Sequence, residues 1–190
     1  KIKEYLIISI IILFISIYSF EGYLTFKKNT KYLIYERQSG DKWDTRTVFK
    51  IYNDLKKINN QIVVSINATL YETENYSIHS LAGVSNSETI FCNENGYYSI
   101  YQSDRFGFNN PNEEWDSDEI EYLLVGDSFT HGSCVNRPND IGSVLRTLSN
   151  KSVLNLGIRG NGPLSQYATL REYLNTKVKK VLWVYSPNDF

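Results

Sequence analysis

The chain has 190 residues, 42% of them hydrophobic, with 20 Lys and Arg against 21 Asp and Glu and a formal net charge of −1. That length suits one domain with an appendage or two small domains, and the balanced charge lays no basic footprint for a nucleic-acid partner. Absence of CxxC, HExxH and GxxxxGK[ST] removes the usual zinc and nucleotide readings, so no metal or cofactor is expected.

The first element is an uncharged run, "YLIISIIILFISIYSF", from Tyr5 to Phe20. As a helix it reaches roughly 24 Å at ~1.5 Å per residue, slightly short of a ~30 Å hydrocarbon core. Tyr5, Tyr18, Phe20 and Tyr23 stand near its ends, where interfacial rings are favoured. A signal peptide would want small residues at a cleavage site, and "SIYSFEGYLTF" has no small-x-small pair. A buried helix of a soluble protein is rarely apolar all round at this length. The expectation is a single-pass anchor over residues 1–26. Lys1 and Lys3 precede the run while Lys27, Lys28 and Lys31 follow it, so the positive-inside count does not decide orientation. A near-terminal signal anchor with its body outside the cytoplasm is the simplest layout.

Residues 27–117 read as a small α+β membrane-proximal appendage. "DTRTVFKIYNDLKKIN" places Val48, Ile51, Tyr52, Leu55 and Ile58 at helical spacing, with Asp44 or Thr45 as the cap. "QIVVSI", "TIFCN" and "YYSIYQS" have strand character, and His79 sits in a polar stretch read as a solvated loop. The segment "YQSDRFGFNNP", Tyr101 to Pro111, has two readings: Phe106 and Phe108 anchor the appendage on the next domain, or Asp104 and Arg105 touch a substrate. Cys92 and Cys134 both follow the anchor. They pair if the compartment is oxidising, or stay as two buried thiols; the sequence leaves both open.

From residue 118 to 190 the pattern becomes regular. "EIEYLLVG", "SVLNLGI" and "VKKVLWVYS" are strands. Two helices separate them, one with Ile141, Val144, Leu145 and Leu148 on its inner face and the other with Leu164, Tyr167, Ala168 and Leu170. Strand–helix–strand–helix–strand predicts a parallel, open α/β sheet with ligands at the carboxyl ends of the strands. Those ends carry Gly126-Asp127-Ser128, then Gly157 and Gly160 in "NLGIRGNGP", then Asn188-Asp189. Acyl transfer needs a hydroxyl nucleophile and donors aimed at the developing oxyanion. Ser128 offers the hydroxyl and its own N–H, Gly160 a backbone N–H unshielded by a side chain, and Asn188 a neutral amide; Asp127 and Asp189 are supporting residues.

This order of motifs resembles the SGNH (GDSL-type) hydrolases, in the membrane-anchored bacterial form. "VGDSFTHG" is similar to their first block, "NLGIRGNGP" to the second and "SPNDF" to the third, and "SDRFGFNNP" is similar to a stretch that precedes the first block. The resemblance covers roughly residues 100 to 190. It implies a flavodoxin-like three-layer α/β/α sheet, Ser128 as nucleophile, and Ser128, Gly160 and Asn188 as oxyanion donors. Two departures stand out: Ser186 and Pro187 replace the usual G-x before Asn188, and no D-x-x-H block supplies the catalytic Asp and His. His131, three residues after Ser128, is expected at the rim of the site and not as its base. With no methionine in the chain and the last block missing, the expectation is the front part of a longer protein, 118–190 being the N-terminal part of the hydrolase domain. The implied activity is hydrolysis of acyl or acetyl esters outside the cytoplasm. Alternatives are an O-acyltransferase acting on envelope glycans and a non-catalytic binding domain that keeps the fold.

Overall fold

The computed structural model describes residues 2–68, 70–72, 74–75 and 77–186. The chain forms two compact units that part between Thr45 and Arg46.

The first unit is a long apolar helix, α1 (Ile2–Ser39), with no buried residue. Its most apolar window has a mean hydropathy of 2.0, and its 38 residues extend about 57 Å at ~1.5 Å per residue. By length and composition it can cross a membrane. The helix does not stop near residue 26: no proline interrupts Glu21–Ser39, so Lys27, Lys28 and Lys31 ride on its continuation. Gly40, at φ +79°, ends it by donating its N–H to Glu36 O. Trp43 then packs on Tyr32 and Tyr35, with Lys31 Nζ 4.4 Å from its ring centroid.

The second unit is a mixed α/β body. It opens with α2 (Val48–Lys56), capped by Thr47, whose hydroxyl accepts the Lys50 N–H, and not by Asp44 or Thr45. Ile51 on this helix meets Ile62 and Ile90 in a small core. That core covers a three-stranded sheet of β1 (Val63–Val64), then β2 (Leu70–Glu72) and β3 (Ser77–His79) having intervened as a separate hairpin, with β4 (Glu88–Ile90) and β5 (Ile100–Gln102) completing it in the order β1-β4-β5.

The main sheet contains β6 (Ile120–Gly126), β7 (Val153–Asn155) and β8 (Val178–Val184), all parallel, in the order β7-β6-β8. Between them run α3 (Ser128–His131), α4 (Ile141–Ser149) and α5 (Pro163–Tyr173). Leu123, Leu154, Leu156, Ile158 and Ile120 are buried together with Phe108, and this is the main core.

Phe108, which precedes the boundary expected at 117/118, lies in that core. The "SDRFGFNNP" segment is part of the α/β body, because polar atoms knit it there. Asp104, fully buried, accepts the N–H groups of Phe106 and Phe108 on Oδ1, and Asn110 Nδ2 and Trp115 Nε1 on Oδ2. Asn110 in turn acts like a strand neighbour for β7: its Oδ1 accepts the Asn155 N–H and its Nδ2 donates to Asn155 O. A side-chain amide thus repeats the donor–acceptor pattern of a peptide at the strand's open edge. Arg105 points outward and forks onto Asp116 at 2.9 and 2.6 Å. Residues Asn112–Asp116 form a turn of 3-10 helix, from which Glu114 accepts the Val153 N–H and pairs with Arg146.

The helix faces differ from the sequence pattern. On α5, Leu164 is 88% exposed, while Gln166 and Thr169 are buried. Gln166 is held between Asn161 O and Trp183 Nε1, so hydrogen bonding, not apolar spacing, chooses the inner face. On α4, Leu148 lies outside and Gly142 and Ser143 lie against the sheet.

Candidate active site around Ser128

Strand β6 delivers Gly126 and Asp127 to a sharp turn, and Ser128 opens α3. Asp127 caps that helix: Oδ1 accepts the Phe129 N–H at 3.0 Å, and Oδ2 accepts the Ser186 hydroxyl at 3.0 Å. Ser186 stands where the resembling family has glycine. Its hydroxyl ties the end of β8 to the Ser128 turn, which gives the departure a structural role.

Ser128 is partly exposed on the wall of a cavity of about 450 Å³, lined also by Glu94, Phe129, Ser133, Asn139 and Asp140, among others. The Ser128 turn is held from behind by close approach. A Cβ added at Gly157 would collide with the backbone of Thr130 and His131, so only glycine lets the turn after β7 lie against α3. Asn155 secures the same contact, accepting the Gly157 N–H and donating to Thr130 O.

Gly160 has φ +72°, a left-handed conformation that favours glycine. Its neighbour Arg159 donates its N–H to His131 Nδ1 and accepts the Ala68 N–H. The turn carrying Gly160 is therefore joined to α3, but Gly160 does not line the Ser128 cavity. Asn188 and Asp189 lie outside the described residues.

His131 is not at the rim. It is 1% exposed, packed on Phe91 with ring centroids 4.2 Å apart and edge-on to Tyr101. Since Nδ1 accepts from Arg159, the ring proton sits on Nε2, which lies 3.0 Å from the Tyr101 hydroxyl. Burial, helped by the Arg159 charge, pulls its pKa down to about 3. A neutral ring with both nitrogens occupied cannot take a proton from Ser128. The other histidine, His79, is exposed on β3 and its Nε2 is 2.7 Å from Ser165 Oγ.

Cys92 and Cys134 are joined in a disulfide, their Cα atoms 5.0 Å apart. This answers the question that the sequence left open. The bond fastens the loop between β4 and β5 to the segment after α3, and Asn95 Nδ2 reinforces it by donating to Cys134 O. Glu94 reaches the cavity through this fastening, a placement that no local pattern announces. Asp140 was readable only as a helix cap, its Oδ1 accepting the Ser143 N–H. Among the described residues no group of three His, Cys, Asp or Glu side chains is placed to hold a metal.

No family model matches this chain, and neither a curated protein nor a solved structure matches it.

Proposed function

We propose that the protein is a membrane-anchored serine ester hydrolase of SGNH type, with Ser128 as nucleophile and its body outside the cytoplasm. The observation that carries this reading is the position of Ser128: a partly exposed hydroxyl on a cavity wall, set on a turn that leaves the middle strand of a parallel sheet. Ligands of such sheets collect at that edge. The order β7-β6-β8, with the first strand in the centre, supports the flavodoxin-like arrangement. A disulfide supports an oxidising compartment, and α1 supports the anchor.

In this reading Ser128 Oγ attacks an acyl or acetyl ester carbonyl and the Ser128 N–H holds the oxyanion; Gly160 and Asn188 are donors on the strength of the resemblance alone, since Gly160 does not line the cavity and Asn188 lies outside the described residues. Asp127 positions the turn, and Asp189 keeps the supporting role that its motif suggests. The resemblance assigns the proton acceptor to a D-x-x-H block, and neither histidine here stands in one. The base is thus not His131 or His79. Transfer of the acyl group to a glycan hydroxyl would use the same serine, so product analysis separates the two reactions.

A second reading has one observation in its favour: the engagement of both histidines suits a binding domain that keeps the fold without catalysis. Labelling with a fluorophosphonate and hydrolysis of a short-chain aryl ester decide between them. The expected result is labelling at Ser128 and loss of both signals in Ser128→Ala with unchanged thermal unfolding. Turnover undiminished in that variant would reject the nucleophile, and absence of both signals in the parent would favour the binding domain.

A further inference from the structure

The cavity beside Ser128 is walled mainly by apolar surface. Phe129 and Ile141 line it while 59% and 41% exposed, and Val135 joins them partly exposed. Single exposed apolar residues are ordinary on a protein surface. Three that converge on one concave wall beside a serine hydroxyl make a place for an apolar ligand. Phe129 is set there by the turn itself, its N–H donating to Asp127 Oδ1. Ile141 opens α4 directly after its cap, Asp140. Polar side chains add little to the wall: Asp140 is 2% exposed, the Ser133 hydroxyl lies 3.4 Å from Cys92 Sγ, and Glu94 and Asn139 are exposed to solvent. The volume of about 450 Å³ falls within the ~300–1,000 Å³ of small-molecule sites. An acetyl group, with its one methyl, would leave both Phe129 and Ile141 in water.

We infer that the cavity selects the acyl side of the ester: it takes a straight chain of several carbons in preference to acetyl, with Phe129 and Ile141 as the residues that set the preference. The inference rests on Ser128 as nucleophile for its catalytic sense, but not for binding of the chain. With a glycan hydroxyl as the alcohol, the apolar part of the ester is its acyl group. Full burial of a methylene improves binding roughly fourfold, and this half-open wall gives about threefold for each one it covers.

The test uses the full chain in lipid nanodiscs, so that no detergent fills the cavity. Phenyl acetate, butyrate and hexanoate report turnover as kcat/KM; acetamide, butyramide and hexanamide report binding by NMR titration. Both series should rise with chain length, by about threefold per methylene. Phe129→Ala should lower the hexanoate-to-acetate and hexanamide-to-acetamide ratios by about threefold or more, and Phe129→Leu should recover most of that loss. Ile141→Thr, a change in a different element, should lower the same ratios. If no ester is hydrolysed but the amides bind in this order and Phe129→Ala flattens it, the nucleophile reading fails and the chain selection stands. Acetate turned over as fast as hexanoate, amide binding flat with chain length, no amide bound at all, or ratios unchanged in both Phe129→Ala and Ile141→Thr would overturn the selection.

Discussion

Replacing Asp104 with alanine separates a structural role for "SDRFGFNNP" from a substrate-binding one. The side chain is 0% exposed and accepts four hydrogen bonds, at 2.9 Å from Phe106 N, Phe108 N and Asn110 Nδ2, and at 2.7 Å from Trp115 Nε1. Hydrogen bonds to a charged group are worth about 1.5–3 kcal/mol each. Four on one carboxylate do not add, because they share an acceptor and water can enter the space left behind. Losing one partner of a buried charged network costs about 3–5 kcal/mol. A value of about 4 kcal/mol lowers Tm by roughly 8–16 °C for a chain of this size. Asp104→Asn keeps the shape but turns a donor toward two donors, and should cost about half as much. Tryptophan fluorescence during thermal unfolding in detergent micelles reads the change, since Trp115 is one of the four partners. A substrate-contacting Asp104 would instead leave Tm alone and reduce turnover. A Tm within about 2 °C of the parent would refute the structural role.

The Cys92–Cys134 bond closes a loop with a sequence separation of 42, for which the chain-entropy relation gives about 4 kcal/mol of stabilisation. Cys92→Ser with Cys134→Ser should lower the denaturation midpoint accordingly, and mass analysis without reductant should find both thiols blocked; two free thiols would contradict the bond. His131 should make stability depend on pH. Its folded pKa of about 3 lies below the ordinary 6.5, so the unfolded chain binds the extra proton between those values. Stability is then complete above about pH 6.5 and declines on acidification, by up to about 1.4 kcal/mol per pH unit from this one group. His131→Gln should flatten that part of the denaturation profile, and an unchanged slope would remove His131 as its source.

The strands of the main sheet were readable because β6 and β7 are short, mostly apolar runs and β8 keeps Val178, Val181, Leu182, Trp183 and Val184 around Lys179 and Lys180, and parallel pairing follows from the helices between them. Helix α1 was readable in kind but not in extent: composition shows where charge enters, whereas a helix stops only where the backbone is broken, here at Gly40. The inner face of α5 was readable only in part: Leu170 packs on the main core as its spacing implies. Its apolar spacing names Leu164 and Tyr167, and the burial of Gln166 depends on Asn161 and Trp183, which come from a loop and a strand. The site divides in the same way. Ser128 at a strand end is a local pattern, but the burial of His131, expected at the rim, depends on Arg159 and Tyr101 at its two ring nitrogens.

By itself the sequence determined the apolar N-terminal helix, the alternation of the C-terminal half and the serine at its first strand end, all of which rest on contacts between near neighbours in the chain. Only the tertiary structure decided that Asp104 and Asn110 belong to the main core, that the two cysteines meet, and that Glu94 and Asp140 face the same cavity. The reason is physical: a polar side chain carries no sign of whether it will be solvated or satisfied inside, and its partner is chosen by the packing of elements distant in sequence.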